Sequence, residues 1–209
     1  MNPTKQRILE VSLELFSQRG FSGVSIRDIC RQVQIKESSL YYHFPSKQAI
    51  LDTLIGAFEE TANRMMDRLH TAIKEQTTPI QGPFYQGACD AFFEEYLMDP
   101  FCNRVMRLLA IERFCNATIG ELHNRWLLVE PILFQREVFS ALMEAGAIPR
   151  HNCDYLAVRY CAPIYLFAQR WLFSGTLTEE QKNAFRTHAY RHVQMFFTEI
   201  RRGEGRPCC

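Results

Sequence analysis

The sequence predicts an all-α protein in which a three-helix head is joined by a long fourth helix to a larger helical bundle. Apolar residues recur at helical spacing through most of the 209 residues, and the alternation typical of half-buried strands is nearly absent. Phenylalanine is abundant, with 16 residues against 10 glycines and 9 prolines, which favours bulky helical cores over a turn-rich β fold. A hydrophobic fraction of 47% is typical of a folded domain.

The first two predicted helices are separated by a glycine-containing turn. The first helix spans about 4–19 and ends at Gly20, since glycine readily adopts the left-handed backbone found just past helix ends. Ser25 begins the second helix, and Asp28 three residues later completes a pair typical of a capping box. The apolar residues of this helix recur at i, i+3, i+4 and i+7, and they are Ile26, Ile29, Cys30 and Val33.

The third predicted helix is short, roughly 37–44, and follows a turn near Gln34. Pro45 stops this helix and Ser46 caps the next. We expect three residues to pack on the first two helices, namely Leu40, Tyr41 and Phe44. The polar residues left on the opposite face are Ser39, Tyr42 and His43. Three short helices with a polar outer face on the third predict a helix-turn-helix.

The body begins with a long fourth helix, about 47–74, whose apolar residues advance by three or four positions. Further helices are predicted at 84–98, 101–115, 118–146, 153–174 and 178–201. Pro131 and Pro163 fall inside two of them and predict a kink or a helix boundary. The predicted domains are a head at 1–47, a helical body at 48–202 and a flexible tail at 203–209.

Two segments of the head resemble a known family. Residues 20–29, GFSGVSIRDI, and residues 35–47, IKESSLYYHFPSK, resemble the N-terminal domain of TetR-family transcriptional regulators. The resemblance covers about a quarter of the chain, and the remainder matches the family in length and all-helical layout. It implies a homodimer that binds a palindromic operator in double-stranded DNA, and a C-terminal domain for effector binding and dimerisation. The expected function is a repressor that a small hydrophobic or aromatic effector releases from DNA.

The resemblance assigns DNA contacts by position. Ser25 and Lys47 would hold phosphates, which helix N-termini also favour. The residues that would contact bases or backbone are Arg27, Lys36, Ser38, Ser39, Tyr42 and His43. The first 50 residues carry seven cations and four anions, a net charge of +3, against +1 for the whole chain. A basic head suits a phosphate partner.

Two departures from the family pattern alter the expected DNA preference. Val33-Gln34 replaces the usual Ala-Gly of the turn, so Gln34 must adopt a conformation that glycine adopts at lower cost. The third helix starts with Lys36-Glu37-Ser38 in place of a small capping residue followed by Lys-Gly. Because these changes alter the residues facing the groove, no operator sequence follows from the resemblance.

We expect an effector pocket among the middle helices of the body. Its candidate residues are Phe92, Tyr96, Met106, Arg113, His123, Trp126 and Phe134. Glu112 and Arg125 are further candidate polar anchors, and ordinary core packing is the alternative for each residue. The last two helices are expected to form the dimer interface, although a core within one chain explains the same apolar stripes.

Other function classes have little support. We find no motif of a nucleotide-binding enzyme, a serine hydrolase or a zinc protease, and expect neither catalysis nor a cofactor. The eight cysteines lack zinc-site spacing, so no metal site is expected. One alternative left open is a thiol- or metal-responsive regulator that uses Cys89, Cys102, Cys115 or the terminal pair Cys208 and Cys209. The other is a DNA-binding protein without an effector. The lack of a long apolar run or signal segment predicts a cytoplasmic protein.

Overall fold

The structure is a computed structural model that describes residues 2–74, 87 and 89–201. Its α-helices are α1 (Pro3–Arg19), α2 (Ile26–Val33), α3 (Glu37–His43), α4 (Lys47–Lys74), α5 (Pro100–Glu112), α6 (Ala117–Asn124), α7 (Glu130–Glu144), α8 (Cys153–Phe167) and α9 (Glu179–Arg201). Three π-helical segments accompany them, π1 (Phe93–Leu97), π2 (Arg125–Val129) and π3 (Ala168–Leu172). Within the described ranges there is no strand, so the all-α prediction is confirmed.

Some predictions fall outside the described residues. These are the tail at 203–209 with Cys208 and Cys209, the break after the fourth helix, and the start of the helix predicted at 84–98. Among the described helices, none combines the length and the apolar character that crossing a bilayer requires.

The chain divides into two compact units that are each discontinuous in sequence. We call Met1–Asn63 with Pro100–His123 the head unit, and Arg64–Asp99 with Asn124–Cys209 the body unit. The head unit contains α1 to α3, most of α4, and the α5–α6 pair up to His123. The body unit contains α7, α8, α9 and the three π-helical segments.

Two helices of the head, α2 and α4, begin with the caps that the sequence predicts. The Asp28 backbone N–H donates to Ser25 Oγ at 3.2 Å, and the Ser25 backbone N–H donates to Asp28 Oδ2 at 3.0 Å. The predicted capping box is therefore present. The backbone N–H of Ala49 donates to Ser46 Oγ at 3.1 Å, which confirms Ser46 as the cap of α4.

The turn between α2 and α3 depends on one strained residue. Gln34 has φ 65° and ψ 43°, the left-handed conformation expected where the family pattern has glycine. The backbone N–H of Ile35 then donates to Cys30 O at 3.0 Å and closes the end of α2. Lys36 begins α3 without a side-chain capping bond.

The core of the head corrects one prediction for α3. Leu40 is fully buried and Phe44 is 3% exposed, as expected. Tyr41, predicted to lie in the core, is 49% exposed. Successive helical residues point about 100° apart, so a seven-residue helix that buries Leu40 turns its neighbour towards the edge of the contact.

The body helices are interrupted where π-helical turns occur. The predicted helix at 118–146 consists of α6, π2 and α7, and Pro131 lies in the first turn of α7, where its missing N–H costs little. Pro163 lies inside α8, five residues before the start of π3. The body core contains the packed rings of Phe139, Tyr160 and Phe196.

Candidate functional site

The outer surface of α3 presents polar and aromatic groups. Lys36, Ser38 and Tyr42 are exposed, and Ser39 and His43 are partly buried. Tyr42 is 85% exposed, and its ring lies 5.1 Å from that of His43 in an edge contact. An aromatic side chain this exposed on a seven-residue helix is available to a partner, since tyrosine offers both a ring face and a hydroxyl.

An exposed ion pair connects the first turns of α2 and α3. Arg27 Nε donates to Glu37 Oε1 at 3.2 Å, and the two side chains are 81% and 46% exposed. Such a pair adds little stability in water. The Arg27 guanidinium can therefore exchange Glu37 for a phosphate or a base edge at small cost.

Ser25 has less freedom than its predicted role as a phosphate ligand requires. Its hydroxyl donates to Asp28 Oδ2 at 2.7 Å while accepting the Asp28 backbone N–H. These bonds from Ser25, with smaller effects from Arg19 and Arg31, lower the pKa of Asp28. A phosphate approaching Ser25 would meet an ionised carboxylate that already accepts its hydroxyl proton.

Lys47 is engaged inside the protein, in contrast to its predicted contact with phosphate. Its Nζ donates to Phe21 O at 2.8 Å and to Val24 O at 2.7 Å, and lies 4.2 Å from the Phe21 ring centroid. Burial lowers the pKa of Lys47. In this geometry the ammonium stabilises the loop between α1 and α2, because two carbonyls and a ring already surround it.

The same loop is bound from α5 by Glu112, which the sequence suggested as an effector anchor. Glu112 is 3% exposed and accepts hydrogen bonds from the Ser22 backbone N–H at 2.7 Å and from Ser22 Oγ at 3.1 Å. A Cβ at Gly20 would lie 2.5 Å from Glu112 Oε1. Gly20 is thus required for the close approach of the carboxylate, and the position of Glu112 could not be read from the sequence.

The body unit contains a cavity of about 230 Å³. Three of the predicted effector residues line it, namely Phe92, Trp126 and Phe134. Tyr96, 2% exposed, is not among the lining residues, and Met106, Arg113 and His123 belong to the head unit. Gln135 also lines the cavity, and sequence reasoning missed it because glutamine is ordinary on helix surfaces.

The predicted polar anchors Arg113 and His123 pair with each other in the head unit. Arg113 Nη1 lies 3.2 Å from His123 Nε2, and His123 is 5% exposed. Burial, and secondarily the Arg113 charge, lower the pKa of His123 to about 4. The imidazole is therefore neutral at pH 7, and its Nε2 accepts from the guanidinium.

Two of the cysteines line the cavity as protonated thiols. Cys89 Sγ lies 3.5 Å from Tyr160 Oη, and Cys161 Sγ donates to Pro131 O at 3.7 Å. Burial raises the pKa of Cys89 to about 11 and that of Cys161 to about 12. Because the thiolate is the reactive form, these two residues do not support a thiol sensor.

Within the described part of the chain, no three His, Cys, Asp or Glu residues form a metal-binding group.

The last two helices differ in how they use their predicted apolar stripes. On α9, the residues Phe185, Ala189, Val193 and Phe196 are buried within the protomer. On α8, Tyr155 is 62% exposed, Val158 48% and Leu166 62%, and Met195 of α9 is 51% exposed. The α9 stripe is thus intrachain core, whereas the outer face of α8 presents apolar side chains to solvent.

Comparison with known proteins places the family signature in the head. The family model described as "Bacterial regulatory proteins, tetR family" matches residues 8–54. The chain is 26% identical over 132 residues to the Probable HTH-type transcriptional regulator YttP of Bacillus subtilis (strain 168), over 63% of the chain and 61% of that protein. It is 44% identical over 62 residues to IcaR of Staphylococcus aureus (strain Newman), the Biofilm operon icaADBC HTH-type negative transcriptional regulator, over 30% and 33%. The matches span less than two thirds of these relatives.

A similar solved structure extends the likeness to the whole fold. The ketosteroid transcriptional regulator KstR2 of Mycobacterium tuberculosis has a TM-score of 0.67 at 20% identity, over 96% of both chains. At this identity the likeness concerns the fold alone. The matched head and the all-helical arrangement agree with the resemblance seen in the sequence.

Proposed function

Because the N-terminal domain matches the TetR family and the fold is all-helical, we propose that the chain is a TetR-family regulator that acts as a homodimeric repressor. Each head would place α3 in the major groove of one half of a palindromic operator. A small apolar effector in the body unit would release the DNA. The name of IcaR describes that relative as a negative regulator, which favours repression over activation for this chain.

The exposed Tyr42 on α3 is the observation that carries the DNA-binding proposal. We assign base contacts to Tyr42, Ser39 and His43, which share the outer face of α3. Lys36, Ser38 and Arg27 would contact phosphates or the outer bases. Ser25 would take part through its position at the N-terminus of α2, and Lys47 would act through the loop it stabilises.

The exposed face of α8 supports the dimer. Tyr155, Val158 and Leu166 recur at spacings of three and eight residues, so they share one side of the helix. Apolar side chains on one helix face favour burial against a second copy, and we assign the exposed Met195 of α9 to the same proposed interface. Two half-sites about 34 Å apart can then be bound together.

The cavity supports the effector. Effector binding would shift the population towards conformations in which the two α3 helices no longer match the half-site spacing. Three peptide connections join the two units, between residues 63 and 64, 99 and 100, and 123 and 124. The first of these connections lies within α4, and the last lies where α6 continues into π2, whose Trp126 lines the cavity.

The proposal is tested by selecting bound sequences from a random DNA pool with the purified full chain. Enrichment of a palindrome with half-sites one helical turn apart is the expected result. The enriched DNA then serves in titrations with and without candidate effectors. Failure to enrich any sequence, or enrichment of a single half-site by a monomer, would contradict the proposed dimeric repressor.

A further inference from the structure

We infer that the cavity of the body unit takes an uncharged, largely apolar molecule with one carbonyl or hydroxyl group, which hydrogen-bonds the side chain of Gln135. This inference rests on the proposed function, because it identifies the chemical class of the effector. Three observations carry it. The described residues of the cavity wall are uncharged, one polar side chain among them lacks a hydrogen-bond partner, and the volume of the cavity limits the size of the ligand.

The cavity wall offers no charge to a ligand. The described residues that line it include no Asp, Glu, Lys, Arg or His, and most are aliphatic or aromatic, among them Phe92, Trp126 and Phe134. An ionised ligand would lose its hydration without gaining a counter-charge. The wall therefore selects for an uncharged molecule.

Most of the polar groups in the wall already have partners. The Cys89 thiol and the Tyr160 hydroxyl contact each other at 3.5 Å, and Cys161 donates to Pro131 O. Gln135 differs from them. It lies on α7, is 7% exposed, and its side chain makes no hydrogen bond with any residue that the structure describes.

An amide without a partner in an apolar wall is a binding group. Its N–H₂ can donate to a carbonyl and its oxygen can accept from a hydroxyl, so either group on a ligand satisfies it. A ligand that displaces water from the cavity and leaves this amide unsatisfied incurs an unfavourable cost, which a ligand that supplies one hydrogen bond avoids. A pure hydrocarbon would leave the amide without a partner.

The size of the cavity limits the ligand. A dry cavity of about 150 Å³ holds benzene, and this cavity is about 230 Å³. By proportion, the ligand has about nine non-hydrogen atoms, close to the size of a molecule with one ring or two fused rings. Tetralin and its oxidised derivatives have this size and form a matched series.

The experiment measures dissociation constants of the full chain for tetralin, α-tetralone, α-tetralol and the tetralin carboxylate by Trp126 fluorescence and calorimetry. We expect the ketone or the alcohol to bind about fivefold more tightly than tetralin, which corresponds to one neutral hydrogen bond. The carboxylate should bind at least about tenfold more weakly than the ketone. Equal affinity for tetralin and both oxygenated ligands, or tighter binding of the carboxylate, would overturn the inference.

Variants assign the preference to one side chain. Gln135→Leu should reduce the ketone-to-tetralin ratio to about one while keeping tetralin affinity. Gln169→Leu is the matched control, because Gln169 is not among the lining residues, and it should keep the ratio of the original chain. Tyr165 also lines the cavity. If Tyr165→Phe loses the preference for the ketone over tetralin and Gln135→Leu keeps it, the hydrogen bond does not come from Gln135.

A cavity-filling variant separates failure of this inference from failure of the proposed function. Ala168 is buried and lines the cavity, so Ala168→Phe should abolish binding of the whole series. Binding that survives this change, in a variant that retains the helical signal of the original chain, would contradict the effector site itself. If Ala168→Phe blocks binding but Gln135→Leu leaves the ketone-to-tetralin ratio unchanged, only the proposed ligand class is contradicted. The four-ligand comparison needs no variant and tests the ligand class even if a substitution prevents folding.

Discussion

At the scale of single residues, Tyr42 is the side chain on which DNA recognition can be tested most directly. Its 85% exposure means that Tyr42→Ala should change the free energy of unfolding by less than about 0.5 kcal/mol. If the ring contacts a base, the same change should lower operator affinity about tenfold or more. If the ring makes the contact, Tyr42→Phe should lose less operator affinity than Tyr42→Ala. An equal loss of affinity in both variants would assign the contact to the hydroxyl. Operator titrations that find Tyr42→Ala unchanged would remove Tyr42 from the interface.

Gly20 is the residue whose backbone and surroundings both require glycine. Its φ of 74° and ψ of 164° lie in a region that only glycine adopts readily, at a cost of about 1–3 kcal/mol for other residues. A Cβ there would also meet Glu112 at 2.5 Å. Gly20→Ala should therefore lower the free energy of unfolding in urea by about 1–3 kcal/mol or more.

Gly56 supplies the control for this measurement. It lies inside α4, and a Cβ at this position would meet no atom within 4 Å. Gly56→Ala should raise the free energy of unfolding by about 0.5–1 kcal/mol, since alanine loses less backbone entropy in a helix. A Gly20→Ala variant as stable as the original chain would show that the loop can relax around the new methyl group.

Gln34 explains how the head accommodates its departure from the family pattern. The residue adopts φ 65°, as its position in the turn requires. A side chain at this angle costs roughly 1–2 kcal/mol more than glycine would, and the capping box of α2 and the buried Leu40 of α3 hold the turn in place. The turn is thus imposed by the packing of the helices it connects.

At the scale of elements, the loop between α1 and α2 is fixed from two sides. Lys47 of α4 donates to the loop carbonyls, and Glu112 of α5 accepts from the Ser22 N–H and hydroxyl. The bonds to Glu112 join residues 90 positions apart. Since α2 follows this loop, the half-buried Lys47 and the buried Glu112 fix where α2 starts and so position α3.

The corner between α5 and α6 should respond to acid. The pKa of His123 is about 4 in the folded chain, against about 6.5 when unfolded, so folding favours the neutral imidazole. The stability that this contributes is complete above pH 6.5 and is lost as pH falls towards 4. In the His123→Gln variant, the unfolding free energy should therefore fall less steeply with decreasing pH within this window. The difference in slope from the original chain is at most about 1.4 kcal/mol per pH unit.

An NMR titration of the His123 ring provides a direct second measurement. A midpoint near 4 is expected in the folded protein. A midpoint near 6.5 would mean that the ring is hydrated and that the Arg113 contact does not persist in solution.

At the scale of the whole molecule, the proposed dimer depends on the exposed face of α8. Leu166 is 62% exposed, so Leu166→Glu should leave the folded protomer intact. In the dimer it would bury an unpaired carboxylate, at a cost of about 3–5 kcal/mol. Sedimentation equilibrium should therefore find a monomer, and affinity for a two-half-site operator should fall with it.

Leu133→Glu is the matched control for this substitution. Leu133 lies on α7 and is 44% exposed, outside the proposed interface. This variant should sediment as the original chain does and keep its operator affinity. A Leu166→Glu variant that remains dimeric would place the interface on another surface.

Local residue patterns were enough to predict the helical class, the helix-turn-helix, and the caps of α2 and α4. These properties depend on residues close together in the chain, such as Ser25 with Asp28 or Ser46 with Ala49. The strained Gln34 was also predictable, because its place in the family pattern requires a left-handed residue.

The use of the remaining groups depends on contacts between distant parts of the chain. The tertiary structure places Lys47 and Glu112 against the α1–α2 loop, exposes Tyr41, pairs Arg113 with His123 in the head unit, and brings Gln135 to the cavity wall. Helical periodicity predicts that one side of a helix is buried, but several neighbours can bury the same side. Which neighbour does so depends on contacts between residues far apart in sequence, and the local pattern does not encode these.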